Sequence, residues 1–359
     1  MTTTISIESS CDETAVSILR VSPNFSQVEI FSHVVESQIE LHKPFGGVVP
    51  EVAARDHYAK LDKTVKNALQ ISKLTLKDID RIAVTLGPGL IGALMVGVMY
   101  ARGLALSSKK PCIGVNHIDA HLSPAFFLES FVPKDDCGKV LFLKKPKFPA
   151  LGLTVSGGHC VLSYLESIKN RTILGKHLDD ACGEAFDKVG KMLGLQYPGG
   201  PHIEKLAMRG NPHINSFSLP RHLSKKVPEF SFSYSGLKTA VYYALKKRFT
   251  ESGKDFDLQN LSDNSKQQLA FEFQESAFEQ LRDRVTRALN TFKDVTTLYI
   301  AGGVASNKRF REIFKSLPLE INFAPKSLCT DNATMIGLQS YFSSLSALSV
   351  HPFSKYDFG

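Results

Sequence analysis

Thr4-Ile5-Ser6-Ile7-Glu8-Ser9-Ser10-Cys11-Asp12-Glu13-Thr14-Ala15-Val16-Ser17-Ile18-Leu19 reads as two apolar-alternating strands joined by a polar turn. The turn collects the hydroxyls of Ser9, Ser10 and Thr14 and the carboxylates of Asp12 and Glu13 at one sheet edge. Such a cluster is either a solvated acidic turn or a place where protons are handled. Ile30 to Val35 supplies a third strand, and Val52 to Leu69 a helix with Pro50 near its first turn. The same rhythm returns later in the chain. Ala150 to Val155, Cys160 to Leu165 and Thr172 to Lys176 read as three strands, a helix starts after Asp179-Asp180 with Asp187 inside it, and Ser156-Gly157-Gly158-His159 takes the place of the acidic turn. The repeat is one of pattern, not identity.

Between the repeats, residues 129–149 break the pattern with Pro133, Pro146, Pro149 and Lys144-Lys145-Pro146-Lys147, which reads as a linker or insert. The expected lobes are therefore 1–128 and 150–359, the second carrying a polar, mostly helical insertion at about 202–293. Two lobes that each begin strand, polar turn, strand, strand and helix are the outline of an α/β protein of the actin-like ATPase (ASKHA) fold. Nucleotide lies in the central cleft of that fold, where backbone N–H groups of Gly-rich turns grip phosphate. A fourth strand, Arg81 to Leu86, leads into Gly87-Pro88-Gly89-Leu90-Ile91-Gly92 and a helix through Leu106. This run satisfies G-x-G-x-x-G, but a dinucleotide site needs an acidic ribose ligand about 20 residues on, and Pro111 to Asn116 offers none. The glycines are expected to let the backbone pass close to a neighbouring lobe or a phosphate, or to make a tight turn.

Cys112-Ile113-Gly114-Val115 reads as a strand, followed by Asn116-His117-Ile118-Asp119-Ala120-His121. On a helix capped by Asn116, the two histidines fall one turn apart and project from one face into one small volume. That suits two nitrogen ligands on one metal, although such pairs are also ordinary surface or core residues. In the His-Glu-x-x-His proteases the residue after the first histidine is the general base; here it is Ile118, so the metal would hold a ligand and not cleave peptides. Asp331, in Cys329-Thr330-Asp331-Asn332-Ala333-Thr334, would face the cleft in this fold and is the natural third ligand; plain N-capping of the last helix is its other use.

The 359 residues, 43% hydrophobic and 22% charged, suit a globular two-lobed chain, and a net charge of +8 with pI near 9.0 suits a polyanionic partner without demanding one. Lys144, Lys145 and Lys147, with Lys246, Lys247 and Arg248, are candidate contacts for it. Six cysteines without a C-x-x-C point to a reducing compartment. No apolar run is expected to approach the roughly 18 residues of a membrane span, so no membrane partner is expected. Strand-like sequence from Thr4 leaves no room for a presequence, so the protein stays where it is made or a presequence is absent from this chain.

Glu8 to Thr14, Gly47-Val48-Val49-Pro50-Glu51, Asn116 to His121, Val155 to His159, Asp179 to Lys188, Tyr197 to Gly200, Gly302 to Asn307 and Cys329 to Asn332, in this order, carry a further resemblance. Together they resemble the TsaD/Kae-type tRNA threonylcarbamoyladenosine transferases over nearly the whole chain. Ser-Cys-Asp-Glu-Thr is similar to the bacterial and organellar branch. The Lys/Ser-rich composition and the insert point to a mitochondrial member in the matrix, with the bacterial cytoplasm as alternative. The resemblance implies one divalent metal ion per chain, iron or zinc, on His117, His121 and Asp331. It also implies threonylcarbamoyl-AMP as substrate, touched by Val155, Ser156, Gly157, Gly158, His159, Asp187, Gly200 and Asn307. The activity implied is transfer of the threonylcarbamoyl group to N6 of the adenosine 3′ of the anticodon in ANN-decoding tRNAs (t6A formation). Asp12, helped by Glu13, would be the catalytic acid/base group. tRNA is the implied partner, and a homodimer the implied assembly of the mitochondrial branch. Two rivals share the fold. An ATP phosphotransferase or ATPase leaves the histidine pair without a use, because Mg²⁺ prefers oxygen ligands; a non-catalytic nucleotide-binding scaffold leaves the Asp12/Glu13 turn without one.

Overall fold

Period-two alternation in the first residues becomes strand pairing. β1 (Thr2–Glu8) and β2 (Glu13–Val21) form an antiparallel hairpin in which Ile7 faces Val16 and Glu8 faces Ala15, and β3 (Val28–Ser37) runs antiparallel to β2. The computed structural model describes residues 1–24, 27–127, 145–224, 226–251 and 261–354. After a single turn of helix, α1 (Ile39–His42), α2 (Pro50–Ser72) buries Ala53, His57, Leu61, Val65 and Ala68 at three- and four-residue spacing, with Pro50 in its first turn. β4 (Arg81–Gly87) joins β1 in parallel, α3 (Ile91–Ser108) crosses back, and β5 (Cys112–Asn116) joins β4 in parallel, giving the order β3-β2-β1-β4-β5. α4 (His117–Phe127) follows directly. Ile5, Ile7, Val16, Ile18, Val84 and Leu86 from the sheet pack with Leu61, Val65, Val98 and Ala101 from α2 and α3. At about 1.5–3 kcal/mol for each fully buried Val, Leu or Ile, this layer is the main stabilising term of the unit.

α3 departs from the expectation about apolar runs. Its 18 residues, with a mean hydropathy of 1.4 and Arg102 as the single charge, are long and apolar enough to cross a membrane by length and composition. In this structure α3 packs against α2 and β4, with 33% of that window buried. Small residues and methionines keep the run apolar without a strand-like or strongly amphipathic pattern, which is why its length is easily underestimated.

The second unit repeats the first in order. β6 (Ala150–Val155), β7 (Cys160–Leu165) and β8 (Arg171–Lys176) form an antiparallel meander with Val155 opposite Cys160. The helices α5 (Cys182–Met192), α6 (Gly199–Ala207), α7 (Ser235–Glu251) and α8 (Asp263–Thr291) come next. β9 (Thr297–Ala301) then joins β6 in parallel, and α9 (Lys308–Lys315) and β10 (Glu320–Phe323) complete the order β10-β9-β6-β7-β8. α8 buries Leu269, Phe273, Ala277, Leu281 and Val285 along one stripe. Among the described residues, the expected helical insertion is helical in α6, α7 and α8 only. Pro212, Pro220 and Pro228 interrupt the stretch between α6 and α7, and α8 pins it: Glu272 accepts the N–H groups of Ser216 (2.7 Å) and Phe217 (2.9 Å).

The division into compact units differs from the expected one. Met1–Lys147 and Asn322–Gly359 form one unit and Phe148–Ile321 the other, so the expected second lobe, 150–359, ends at Ile321. The chain returns to the first unit with α10 (Ala333–Gln339), whose residues are all buried and which packs on β1, β2 and α4. Most of the expected linker 129–149, Lys144 and Cys137 included, lies outside the described residues. Among the described residues, Cys11, Cys112, Cys160 and Cys182 are free thiols.

One backbone position in the second unit tests this packing. Gly302 follows β9 with φ +96°, and a Cβ there would sit 2.2 Å from the Val155 carbonyl oxygen. Gly302→Ala is therefore expected to destabilise the protein by about 2 kcal/mol or more, through left-handed strain plus a backbone clash. A urea midpoint equal to that of the wild type would show that the two strands need not approach so closely.

Candidate metal centre

The end of β5 fixes the first two ligands. Asn116 Oδ1 accepts the N–H groups of Ile118 (2.9 Å) and Asp119 (3.2 Å), so α4 starts at His117 and His121 follows one turn later. The two imidazoles stand edge to face, centroids 4.6 Å apart. Asp331 arrives from the loop before α10. Asn332, not Asp331, caps that helix, accepting the Met335 N–H at 3.0 Å, and its amide donates to the Leu328 and Thr330 carbonyls. The Asp331 carboxylate is turned to the histidines, with Oδ1 3.3 Å from His121 Nε2 and 3.6 Å from His117 Nε2. Bonds of about 2.0–2.2 Å at tetrahedral angles put ligand atoms roughly 3.3–3.6 Å apart, so these separations suit one metal ion.

A second observation bears on the fit. Both ring nitrogens of His121 are buried and make no hydrogen bond within the described residues. A buried unsatisfied polar group costs about 1–3 kcal/mol, a penalty that a cation accepting the Nε2 lone pair would remove. Burial holds His121 below its usual range and so in the neutral, ligating form. His117 behaves differently: burial opposes its charge, but Asp331 and Glu8 push it up to about 9. Two imidazoles and a carboxylate, His117, His121 and Asp331, make a donor set for a transition ion and not for magnesium.

The β1–β2 turn lies in the same unit and is not a solvated one. Ser9, Ser10, Asp12 and Thr14 are buried and Glu13 is half-buried. His57 on α2 ties the turn down, with Nδ1 2.7 Å from Thr14 Oγ1 and Nε2 3.0 Å from the Cys11 carbonyl. The Asp12 carbonyl accepts the Gln38 N–H at 2.9 Å. Within the Gly87–Gly92 run, Gly89 serves this turn: a Cβ there would lie 2.6 Å from the Ser10 carbonyl, which also accepts the Leu90 N–H. Gly97, further along α3, would meet Ser9 Oγ at 2.2 Å, whereas Gly87 (φ +146°) packs against Phe353 and Gly92 against Ala54. Close approach within the unit is thus the use of Gly87, Gly89 and Gly97. Enclosure by protein, with Asp331 and Asp12 nearby, raises Glu13 well above the usual carboxylate range.

In the second unit, the Ser156 N–H donates to the His159 carbonyl (2.7 Å), and the Ser156 and Gly157 carbonyls accept the N–H groups of Gly183 and Glu184 at the start of α5. Gly157 and Gly158 are exposed with open space where a Cβ would stand. Val155 is fully buried, so only its backbone is presented. Asp187 Oδ1 accepts the Gly199 N–H at 2.7 Å, which brings it beside Gly200. Asn307 caps α9 through the Phe310 N–H (3.0 Å) and donates to Gln274 (2.9 Å). The expected residues thus fall in two sets: the metal ligands with Asp12 and Glu13 in the first unit, the others in the second. Sequence reasoning missed His57 and Glu8. The signal for His57 was one polar residue at a position the periodicity assigns to the buried face of α2, whereas Glu8 falls on the polar face of β1 and gave no such signal.

A family profile described as TsaD, tRNA N6-adenosine threonylcarbamoyltransferase, matches residues 29–338. A protein of that name from Thermosipho melanesiensis is 43% identical over 341 residues, covering 94% of this chain and 93% of its own. Another from Chlamydia felis is 40% identical over 357 residues, covering 98% and 96%. Among solved structures, component A of (R)-2-hydroxyglutaryl-CoA dehydratase from Acidaminococcus fermentans superposes with a TM-score of 0.51 at 14% identity, over 95% of this chain and 98% of that one. That likeness concerns the fold alone, the actin-like two-lobed α/β architecture. With the profile spanning most of its length and relatives above 40% identity across nearly all of it, the chain belongs to the tRNA N6-adenosine threonylcarbamoyltransferase (TsaD) family.

Proposed function

We propose that this protein transfers the threonylcarbamoyl group of threonylcarbamoyl-AMP to N6 of the adenosine 3′ of the anticodon in ANN-decoding tRNAs. The observation that carries the reading is the cluster of buried His117 and His121 with half-buried Asp331 in a chain of this family. A phosphotransferase would have no use for two imidazoles aimed at one point.

The reaction joins N6 of adenine to the carbamoyl carbon, breaks the bond from that carbon to the phosphate oxygen and releases AMP. An iron or zinc ion held by His117, His121 and Asp331 would supply positive charge for the phosphate as it departs. The attacking amine must lose a proton, and an aromatic exocyclic amine is a poor nucleophile. Asp12 and Glu13 are the carboxylates proposed to take it. The raised affinity of Glu13 for protons fits it to that work, and His57 and Gln38 hold the backbone around Asp12. The nucleotide is assigned to the second unit: the backbone at Val155 and at Ser156, Gly157, Gly158 and His159, together with Asp187, Gly200 and the turn that Asn307 orders. Lys145, Lys147 and the exposed Lys246, Lys247 and Arg248 are proposed contacts for tRNA phosphates.

The homodimer is supported by one surface feature. Ile91, Met95, Met99 and Leu106 of α3 are 47–69% exposed and form an apolar stripe that a second copy would cover. The bacterial relatives support the bacterial cytoplasm as compartment; the mitochondrial matrix rests on composition alone.

Purified protein is expected to carry about one iron or zinc per chain. The double substitution His117→Ala with His121→Ala should remove it, and unchanged metal content in that variant would end the metal reading. With labelled threonylcarbamoyl-AMP and an unmodified ANN-decoding tRNA, metal-loaded protein plus any required partners should label the tRNA without ATP. Asp12→Ala should slow labelling by roughly 10²-fold or more if Asp12 takes the proton, and an unlabelled tRNA with the wild-type protein would refute the transferase reading. Met95→Glu with Met99→Glu is expected to shift a dimer to monomer in light scattering; a wild-type protein that is already monomeric would remove the dimer.

A further inference from the structure

Glu8 is the last residue of β1, is wholly buried, and has no part in the chemistry above. Its Oε1 accepts the Ser10 N–H at 2.5 Å and its Oε2 accepts the Thr85 hydroxyl at 2.6 Å. Both oxygens are thus used as acceptors, which is the bonding of a carboxylate and not of a carboxylic acid. The parallel pairing of β1 with β4 sets Ile7 opposite Val84, and so brings Thr85 to this carboxylate. Oε2 also lies 3.2 Å from His117 Nδ1.

That nitrogen has a second neighbour, Ser10 Oγ, also at 3.2 Å. The two neighbours have different consequences. A serine hydroxyl can donate to Nδ1, which would put the ring proton on Nε2 and block that nitrogen as a ligand. A carboxylate can only accept, so Nδ1 must carry a proton, and in the neutral ring the Nε2 lone pair is then left for the ion. The geometry points to Glu8 as the positioning residue of the metal centre: it fixes the ring and tautomer of His117. His121 has no such partner, since neither of its nitrogens is hydrogen-bonded within the described residues. The ligating state of the pair is therefore imposed at His117. This inference rests on the metal reading proposed above and extends it to a residue that does not touch the ion.

Cobalt(II) titration of the full-length protein, followed by visible absorption, tests it. Glu8→Gln keeps the side-chain volume and an oxygen for the Ser10 N–H but removes the charge, and should weaken cobalt binding by 10–100-fold, the usual range for such outer partners. In a His117→Ala background the same substitution should cost nothing further, because its only route to the ion is gone. A folded Glu8→Gln protein with wild-type cobalt affinity would overturn the inference, and so would an equal loss in the His117→Ala background, which marks a general structural effect. Nitrogen-15 NMR of histidine-labelled, zinc-loaded wild type needs no variant and decides the matter should Glu8→Gln fail to fold. The expected state of His117 is Nδ1–H with zinc at Nε2, and zinc at Nδ1 or a proton on Nε2 would overturn it. A wild-type protein that binds neither metal fails the underlying reading, which is distinguishable from binding that ignores Glu8.

Discussion

Two helix starts place the three residues that could hold a metal ion. Asn116 caps α4 and so puts His117 and His121 on one face; Asn332 caps α10 and turns the preceding carboxylate, Asp331, toward them. The two helices are tied by Ser123, which donates to Gln339 at 2.6 Å, and by direct packing. Neither cap is part of the donor set. Each is worth about 1 kcal/mol to its helix, yet a shift of either start by one residue would rotate a ligand by roughly 100°. The unsatisfied nitrogens of His121 follow from this constraint, since the cap commits that ring to a point where no hydrogen bond from the described residues reaches it.

The first sheet has two different faces for the same reason. Ile5, Ile7, Val16 and Ile18 point to α2 and α3 and form the apolar layer. Ser6, Glu8 and Ser17 point the other way, to the side where α10 packs. These buried polar groups are bonded: Ser6 donates to the Ala333 carbonyl (2.6 Å), Ser17 to the Ser32 carbonyl (2.8 Å), and Ser17 also meets Thr334 at 2.9 Å. A buried polar layer so satisfied gives little net stability but specifies one arrangement. One face holds the unit together, and the other orients the groups that would meet an ion.

Much of this was legible in the sequence because period-two and helical alternation survive burial on one face. The strand, turn, strand, strand and helix repeat gave two sheets whose orders, β3-β2-β1-β4-β5 and β8-β7-β6-β9-β10, match position for position. The His117–His121 spacing was visible because both residues sit on one helix. What failed was long-range. No local pattern says that the chain re-enters the first unit at Asn322, since an apolar helix such as α10 would suit either sheet. Glu8 and His57 were passed over because their partners are distant: Thr14 is 43 residues from His57, and His117 is 109 from Glu8. A polar residue on an apolar face, such as His57, is visible in sequence; the group that satisfies it is not.

The repeat also sets the two turns at matching positions: one carries carboxylates and is closely packed, the other is open. In the same place in each sheet order, the β1–β2 turn carries Asp12 and Glu13, whereas the β6–β7 turn carries Gly157 and Gly158. The first is bolted down by His57 and Gln38 and by the closely packed Gly89. The second has open space at both glycines. Proton transfer needs a carboxylate held in a fixed position, because a misplacement of 1 Å can cost about 10²-fold in rate. Phosphate recognition by backbone N–H groups needs the reverse, a turn without side chains in the way. On the proposed roles, two hairpins of one pattern would meet opposite demands by differing only in the few residues of their turns, and the strands on either side could keep their pattern because neither demand reaches them.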